Sequence, residues 1–404
     1  MNYLVKEKNI NKKKAAISKK NKAPKPKRYY DIYLLIYIVL TVCFGLVMLF
    51  SASAYQSETR MGSSVAFLLK QMSYAALGIF FMIGISFIEP KFFKKFSGLL
   101  WIISIIAMLL VNTGLGYESH NARRWIKIGK ITLQPSEIAK LAVILFLPWF
   151  ITEIKVDIQT FRGTIIAFTF GLIPAVLAWK VTDNMSTGII IAAISWFIIG
   201  FSKPKALKFL IFTFLAIAVI YVIGYLWAEH LIKITVNEAM IKSFRNRRLL
   251  AWRDPYRFIQ GVGWQVIQGL YAIGSGGFWG KGLGRSIQKL YNVPEAQNDF
   301  ILPIIYEETG FFGVILMICL FISMIFRLIH IAVNVRDEYA VLVIVGIILH
   351  ISIQVFFNIC VVLNLIPTTG VSLPFISSGG TALILTLVEM GVALSISRSI
   401  ILND

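Results

Sequence analysis

About ten stretches of this chain are apolar for long enough to cross a lipid bilayer, and that pattern leaves few folds open. They lie near residues 32–54, 70–88, 97–115, 136–153, 163–181, 185–201, 206–228, 304–332, 340–363 and 380–400. A spanning helix needs roughly 20 apolar residues, because once water is excluded each backbone N–H and C=O must be satisfied inside the segment. The pattern predicts an all-α polytopic membrane protein of about ten transmembrane helices, with one large extracellular connection, residues 229–303, between spans seven and eight. Charged residues make up only 15% of the chain and mean hydropathy is +0.75. Soluble domains carry roughly 25% charged residues, so a water-soluble enzyme is excluded.

Charge placement gives the orientation. Residues 1–28 hold eleven Lys/Arg against one Glu, a large part of the net charge of +20. With almost nothing apolar to pack, this tail reads as a disordered cytoplasmic segment that touches anionic membrane lipid, in preference to nucleic acid. The run 32–54 is too long for a signal peptide and stays in the membrane as the first span, opening a membrane domain over 29–404. Short connections carrying Lys91, Lys94 and Lys95, then Lys155 and Arg162, then Lys203, Lys205 and Lys208, then Arg327 and Arg336 fall on the same side as the tail. Positive charge marks the cytoplasmic side, which places both termini there.

Two basic stretches on the opposite side run against that bias. One is Glu118–Pro135, with Arg123, Arg124, Lys127 and Lys130; the other is the 229–303 connection, with ten Lys/Arg against five Asp/Glu. Retained positive charge points to an anionic partner outside, although long loops also translocate regardless of charge. Ala239–Trp252 interleaves apolar and basic residues as a membrane-surface helix does. The run Gly274–Gly284 is dense in glycine. Such a run either directs backbone N–H groups at a phosphate or forms a turn-rich interfacial loop, and its spacing matches no nucleotide-binding pattern. Asn364–Gly380 contains no charge and is rich in Pro, Gly and hydroxyls. Irregular backbone of that kind cannot face lipid, so it folds back into the protein, either lining a cavity or as a purely structural re-entrant loop.

Ionisable residues at the edges of spans are the candidate chemistry. Pro135 suits the first turn of a helix, Glu137 its positive end, and Glu137 and Lys140 are i,i+3 neighbours. They form either an orienting ion pair or a phosphate-binding Lys held by a Glu. Asp299, at the seam between the basic loop and the next span, has the position of a general base, or of a helix cap or a salt-bridge partner. Cys43, Cys319 and Cys360 lie far apart inside apolar runs, and His120, His230, His330 and His350 are scattered. Neither a disulfide framework nor a zinc site is expected.

Several ordered motifs resemble the SEDS family, the FtsW, RodA and SpoVE proteins. They are Ser51-Ala52-Ser53, Lys70-Gln71, Ala122–Ile126, Gln134–Lys140, Gly274–Gly277 through Gly284–Lys289, Pro294-Glu295 with Asn298-Asp299-Phe300, Glu307–Gly310, and Leu365–Gly370 through Pro374–Ser377. The resemblance spans everything but the basic tail, and the Pro367-Thr368-Thr369-Gly370 form is similar to the division and sporulation branch. It implies a ten-span, inverting peptidoglycan glycosyltransferase of the bacterial cytoplasmic membrane that polymerises lipid II with its active site facing outside. It further implies Asp299 as catalytic base, and Lys70, Arg123, Arg124, Glu137, Lys140 and Ser377 as residues binding lipid II and the undecaprenyl-pyrophosphate-linked glycan. A divalent cation (Mg2+ or Mn2+), a class B penicillin-binding protein and other division or sporulation proteins are the implied cofactor and partners. Alternative readings are a lipid II flippase and a non-catalytic division scaffold. The chain departs from the family pattern at Asn184, where an Asp is usual, at Ser378 in a Tyr position, and at Gly269 where Ser is common.

Overall fold

The computed structural model describes residues 29–119, 122–129, 131–154, 160–202, 215–227, 230, 244–259, 261, 263–290, 293–294 and 296–400. The basic tail 1–28, Lys130, Lys155, Lys203, Lys205, Lys208 and Glu295 lie outside the described residues. In chain order the helices are α1 (Ile32–Met61), α2 (Ala66–Ser86), α3 (Pro90–Leu110), α4 (Pro135–Glu153), α5 (Phe161–Lys180), α6 (Met185–Phe201) and α7 (Leu215–Trp227). They continue with α8 (Phe244–Arg253), α9 (Trp264–Gly276), α10 (Ile301–Asn334), α11 (Glu338–Val362) and α12 (Gly380–Ser397). Eight of these are long and apolar enough to cross a membrane, and α6 and α7 are shorter apolar helices. The chain is a multi-pass membrane protein, and each expected span falls on one of these helices. Of the seventh span, 206–228, only Leu215–Trp227 lies within the described residues.

Helix ends differ from the apolar runs because polar residues extend them. α1 continues through polar residues to Met61, where Gly62 (φ 68°) closes it with an N–H to the Glu58 carbonyl. α3 opens at Pro90, the favoured first-turn position, and so takes Lys91, Lys94 and Lys95 into the helix.

The helical bundle carries one small sheet outside its spans. The basic connection before α4 is a three-stranded antiparallel sheet, β1 (Gly116–Ser119), β2 (Ala122–Ile128) and β3 (Ile131–Leu133), in the order β1-β2-β3. Tyr117 faces Trp125 and Lys127 faces Thr132 across it. The cause is a period of two: Arg123 and Lys127 are exposed while Ile126 between them is buried, and Gly129 (φ 62°) makes the turn into β3.

α4 is the central post. It packs against α3, α5, α6, α11 and α12, and is apolar around nearly its whole circumference, as a fully enclosed helix must be. α12 lies along α2, and α1 along α10. At one end of the bundle Asp31 caps α1 through the Leu34 N–H (2.9 Å) and pairs with Arg327 of α10 (2.8 Å), while the Tyr29 N–H reaches the Ile400 carbonyl (3.2 Å). This is the termini end. The sheet, the starts of α4, α10 and α12, and the segment 364–380 gather at the opposite end.

That segment folds into the protein, with Val371, Leu373, Phe375, Ile376 and Ser377 buried. It reaches its depth because α1 offers Gly45, where a Cβ would lie 2.6 Å from the Phe375 carbonyl oxygen.

Candidate active site

The uncharged segment Asn364–Gly380 is the spine of the site, since polar groups of four helices, α2, α6, α8 and α11, bond to it. Its outermost part is fixed by α8. Trp252 Nε1 donates to the Asn364 carbonyl and Asn364 Nδ2 to the Trp252 carbonyl, both at 3.1 Å. Arg248 donates to the Thr368 carbonyl (3.2 Å), and Ser186 at the start of α6 donates to the Thr369 carbonyl (2.6 Å).

Asp299 sits just before α10 and beside this backbone. A Cβ on Gly370 (φ 73°) would lie 3.8 Å from its Oδ2, so the carboxylate faces a stretch of loop that carries no side chain. Burial and the neighbouring Arg124 push the Arg248 guanidinium below its ordinary value, while Asp299 and Asp183 push it up. Arg124, Asp299 and Asp183 are therefore each within electrostatic reach of Arg248. Arg248 remains a cation throughout, because an arginine titrates far above neutral pH. Arg124 is anchored by its own bond to the Asp183 carbonyl (3.0 Å). The surface helix expected over 239–252 supplies Arg248 from Phe244–Arg253, and 239–243 lie outside the described residues.

Deeper in, the Lys140 ammonium is 2% exposed and lies 2.8 Å from Glu137 Oε2 and 3.1 Å from Gln354 Oε1. A buried ammonium demands such partners, and here they come from its own first turn and from α11. Gln354 Nε2 donates onward to the Ser372 carbonyl (2.9 Å). One turn later Asn358 uses its amide N–H groups on the carbonyls of Asp299 (2.9 Å) and Val371 (2.8 Å). Ser377 turns its hydroxyl inward to accept the Leu373 N–H (2.8 Å), closing the loop's own turn, while its carbonyl accepts from Gln71 (3.3 Å). Lys70 borders a cavity of about 90 Å³ with Gln71, Tyr74, Thr132 and Ser378, at the N-terminus of α12.

Of the seven sequence candidates, Ser377 lies in the loop, Asp299 and Lys70 border it, Lys140 and behind it Glu137 reach it through Gln354, and Arg124 lies within electrostatic reach of Arg248 at its edge. Arg123 stands apart. It lies on the other face of β2 from Arg124 and sits 3.8 Å from Glu118, both exposed. Asn184 caps α6 by accepting the Thr187 N–H (3.2 Å), which an Asp would do equally well. Gly269 lies against the Phe300 ring, where a Cβ would come within 3.0 Å.

The glycine-dense run meets an anion from its own chain. α10 breaks at Gly310 (φ 62°, ψ −155°), and the N–H groups of Lys281 and Gly282 take up the carbonyls of Glu307 (2.8 Å) and Glu308 (2.9 Å). The Glu307 carboxylate receives Lys281 (2.7 Å), the Ser286 hydroxyl and the N–H groups of Ile287 and Gln288 (3.3 Å each). Glu308 receives Lys289 and Ser51, each at 2.6 Å.

Among the described residues no three His, Cys, Asp or Glu side chains gather as a metal-binding group. The described residues around Arg248 and Asp299 are cations, carbonyls and one further carboxylate, Asp183, a set short of the oxygen ligands a divalent cation requires.

Sequence reading missed Gln354 and Asn358 and left Arg248 unassigned. The signal for the amides is present: His350, Gln354 and Asn358 recur every four residues in an otherwise apolar span.

Residues 32–400 match the family model described as "Cell cycle protein", that of FtsW, RodA and SpoVE. Stage V sporulation protein E of Bacillus subtilis (strain 168) is 36% identical over 375 residues, covering 91% of this chain and 97% of that protein. The probable peptidoglycan glycosyltransferase FtsW of Geobacter sp. (strain M18) is 30% identical over 369 residues, covering 91% and 96%. Among solved structures, a chain of a peptidoglycan synthase complex shares the fold with a TM-score of 0.70 at 22% identity, over 91% of this chain and 98% of that one. With the match running from the first span to the last, the chain belongs to the FtsW/RodA/SpoVE family of cell cycle proteins.

Proposed function

We propose that this chain is a peptidoglycan glycosyltransferase that polymerises lipid II into glycan strands in division or sporulation. The observation that carries the reading is the placing of one carboxylate, Asp299, beside an uncharged loop at the membrane edge that Arg248 contacts, Lys70 borders and Lys140 reaches through Gln354, with Arg124 near Arg248. Among the described residues, Gln297 Oε1, Asn358 Oδ1 and Thr369 Oγ1 beside that loop are buried without a hydrogen-bond partner, as suits a site that receives a polar ligand.

In the reaction the acceptor sugar's 4-hydroxyl attacks the anomeric carbon of the donor chain. Asp299 takes the hydroxyl proton, the new C–O bond forms, and the bond to undecaprenyl pyrophosphate breaks with its electrons on the leaving group. Displacement from the opposite face converts α to β. Negative charge grows on the pyrophosphate as it leaves, and fixed cations stabilise that change more than they stabilise the ground state. Glu137 holds Lys140 in place without cancelling the other cations.

Lys91, Lys94, Lys95, Arg327, Arg336 and Arg398 cluster toward the termini end, which by the positive-inside bias is the cytoplasmic one. The loop and Asp299 then face outside. A class B penicillin-binding protein is the proposed partner, since the fold neighbour comes from a complex described as coordinating polymerization with crosslinking. The test is glycan-strand synthesis from purified lipid II, with that partner present and moenomycin added to silence contaminating polymerases. Wild type makes polymer, and Asp299→Asn, folded to the same melting temperature, loses at least about a hundredfold. Equal synthesis by the variant sinks the base assignment, and no synthesis by either sinks the enzyme.

A further inference from the structure

Lys140 and Asp299 reach the loop from different helices, yet a single face of α11 touches both. We infer that Gln354 and Asn358 are positioning residues that set the register of the two reactive groups against the loop, an inference that rests on the reading of Asp299 and Lys140 above. Gln354 joins Lys140 to the Ser372 carbonyl, and Asn358 joins the Asp299 carbonyl to that of Val371. The two amides are i,i+4 neighbours, so they project from one face of a helix whose turns move together.

The residue types are chosen by chemistry. Gln354 must accept from an ammonium and donate to a carbonyl at once, which a carboxylate or an ammonium cannot do and an amide can. Asn358 must donate twice. Packing does not explain it: its side chain is fully buried and its Oδ1 has no partner among the described residues. An isosteric Leu would remove that orphan acceptor but would leave the Asp299 and Val371 carbonyls without their donor. What Asn358 supplies, and a packing residue cannot, is one amide joined to two separate segments.

Two measurements decide the matter. In the first, backbone hydrogen exchange is followed in the full-length protein over residues 293–300 and 371–377. Asn358→Leu raises exchange in both segments and Gln354→Met in the second, while exchange in α12 stays as in the wild type. Unchanged exchange overturns the inference, whether or not the protein polymerises lipid II. In the second, polymerisation kinetics are measured with the partner present. Asn358→Leu lowers kcat by about tenfold or more with KM within about twofold, the expected penalty for misplacing a base by a fraction of an ångström. Gln354→Met raises KM by about tenfold, and adds nothing to Lys140→Ala, because it acts only through that ammonium. Multiplying effects in the double variant, or a fall in melting temperature with kcat unchanged, would show a merely structural role. If wild type polymerises nothing, the enzymatic reading fails alone and the exchange result still decides the register.

Discussion

Two polar clusters stand side by side at the loop end of this bundle, and they treat charge in different ways. Around Glu307 and Glu308 the protein supplies both signs. Each buried carboxylate meets a lysine, a serine hydroxyl and backbone N–H groups. Around the Asn364–Gly380 loop charges are interleaved with neutral oxygens: Lys140 shares Glu137 and Gln354, Arg248 holds the Thr368 carbonyl within electrostatic reach of Asp299 and Asp183, and Arg124 holds the Asp183 carbonyl. A neutral acceptor orients a cation without discharging it, so this second cluster is tethered partly through dipoles where the first is paired outright. Both are conspicuous as charge in a membrane sequence, and only coordination tells the two apart.

The comparison can be broken by substitution. The largest effect on stability is expected at the saturated cluster. Glu307→Gln leaves Lys281 without its carboxylate and costs about 3 kcal/mol, read as a lowered melting temperature in detergent. At the loop, Lys140→Ala also lowers the melting temperature, since it strands the buried Glu137 carboxylate, and in addition it weakens lipid II binding by about 2 kcal/mol, roughly thirtyfold. Substitution of Lys14 in the tail leaves binding as it was. Equal losses at positions 14 and 140 would mean bulk charge attraction in place of a defined site. The smallest effect is at Arg123, whose exposed contact with Glu118 is worth less than about 0.5 kcal/mol. Arg123→Ala leaves both binding and melting within error, and a loss matching that of Lys140→Ala would place Arg123 in the site after all.

Much of this was legible in the sequence, and for physical reasons. Span positions follow from the need to hide backbone in lipid, and the inward course of 364–380 follows from the same rule applied to irregular chain. The Glu137–Lys140 pair was readable because both residues lie on one helix and the spacing fixes their geometry. Arg123 and Arg124 were not separable, because adjacent residues look alike until a strand sends them to opposite faces, and the sheet itself hides in a short basic connection. Gln354 and Asn358 were overlooked because an amide in a span carries no charge to draw attention, although their spacing was there to read. The glycine run failed differently. Its N–H groups at Lys281 and Gly282 go to the main-chain carbonyls of Glu307 and Glu308, and it is the N–H groups of Ile287 and Gln288, just past the run, that reach the Glu307 carboxylate, some twenty residues further along the chain and invisible to local pattern.

The break at Gly310 has a mechanical side. It divides α10 into a membrane-crossing shaft and a short arm, Ile301–Thr309, with Asp299 just beyond the arm's free end. At 1.5 Å per residue the arm is about 14 Å long, so pivoting it by about 5° swings that end through roughly 1 Å. Displacements of that size separate a productive proton transfer from a failed one. Lys281 and Lys289 grip the arm next to its pivot, where torque resists rotation least, while Asn358 grips it at the tip, where leverage is greatest. A small hydrogen bond at the far end can therefore steady the arm as well as a pair of salt bridges at its root.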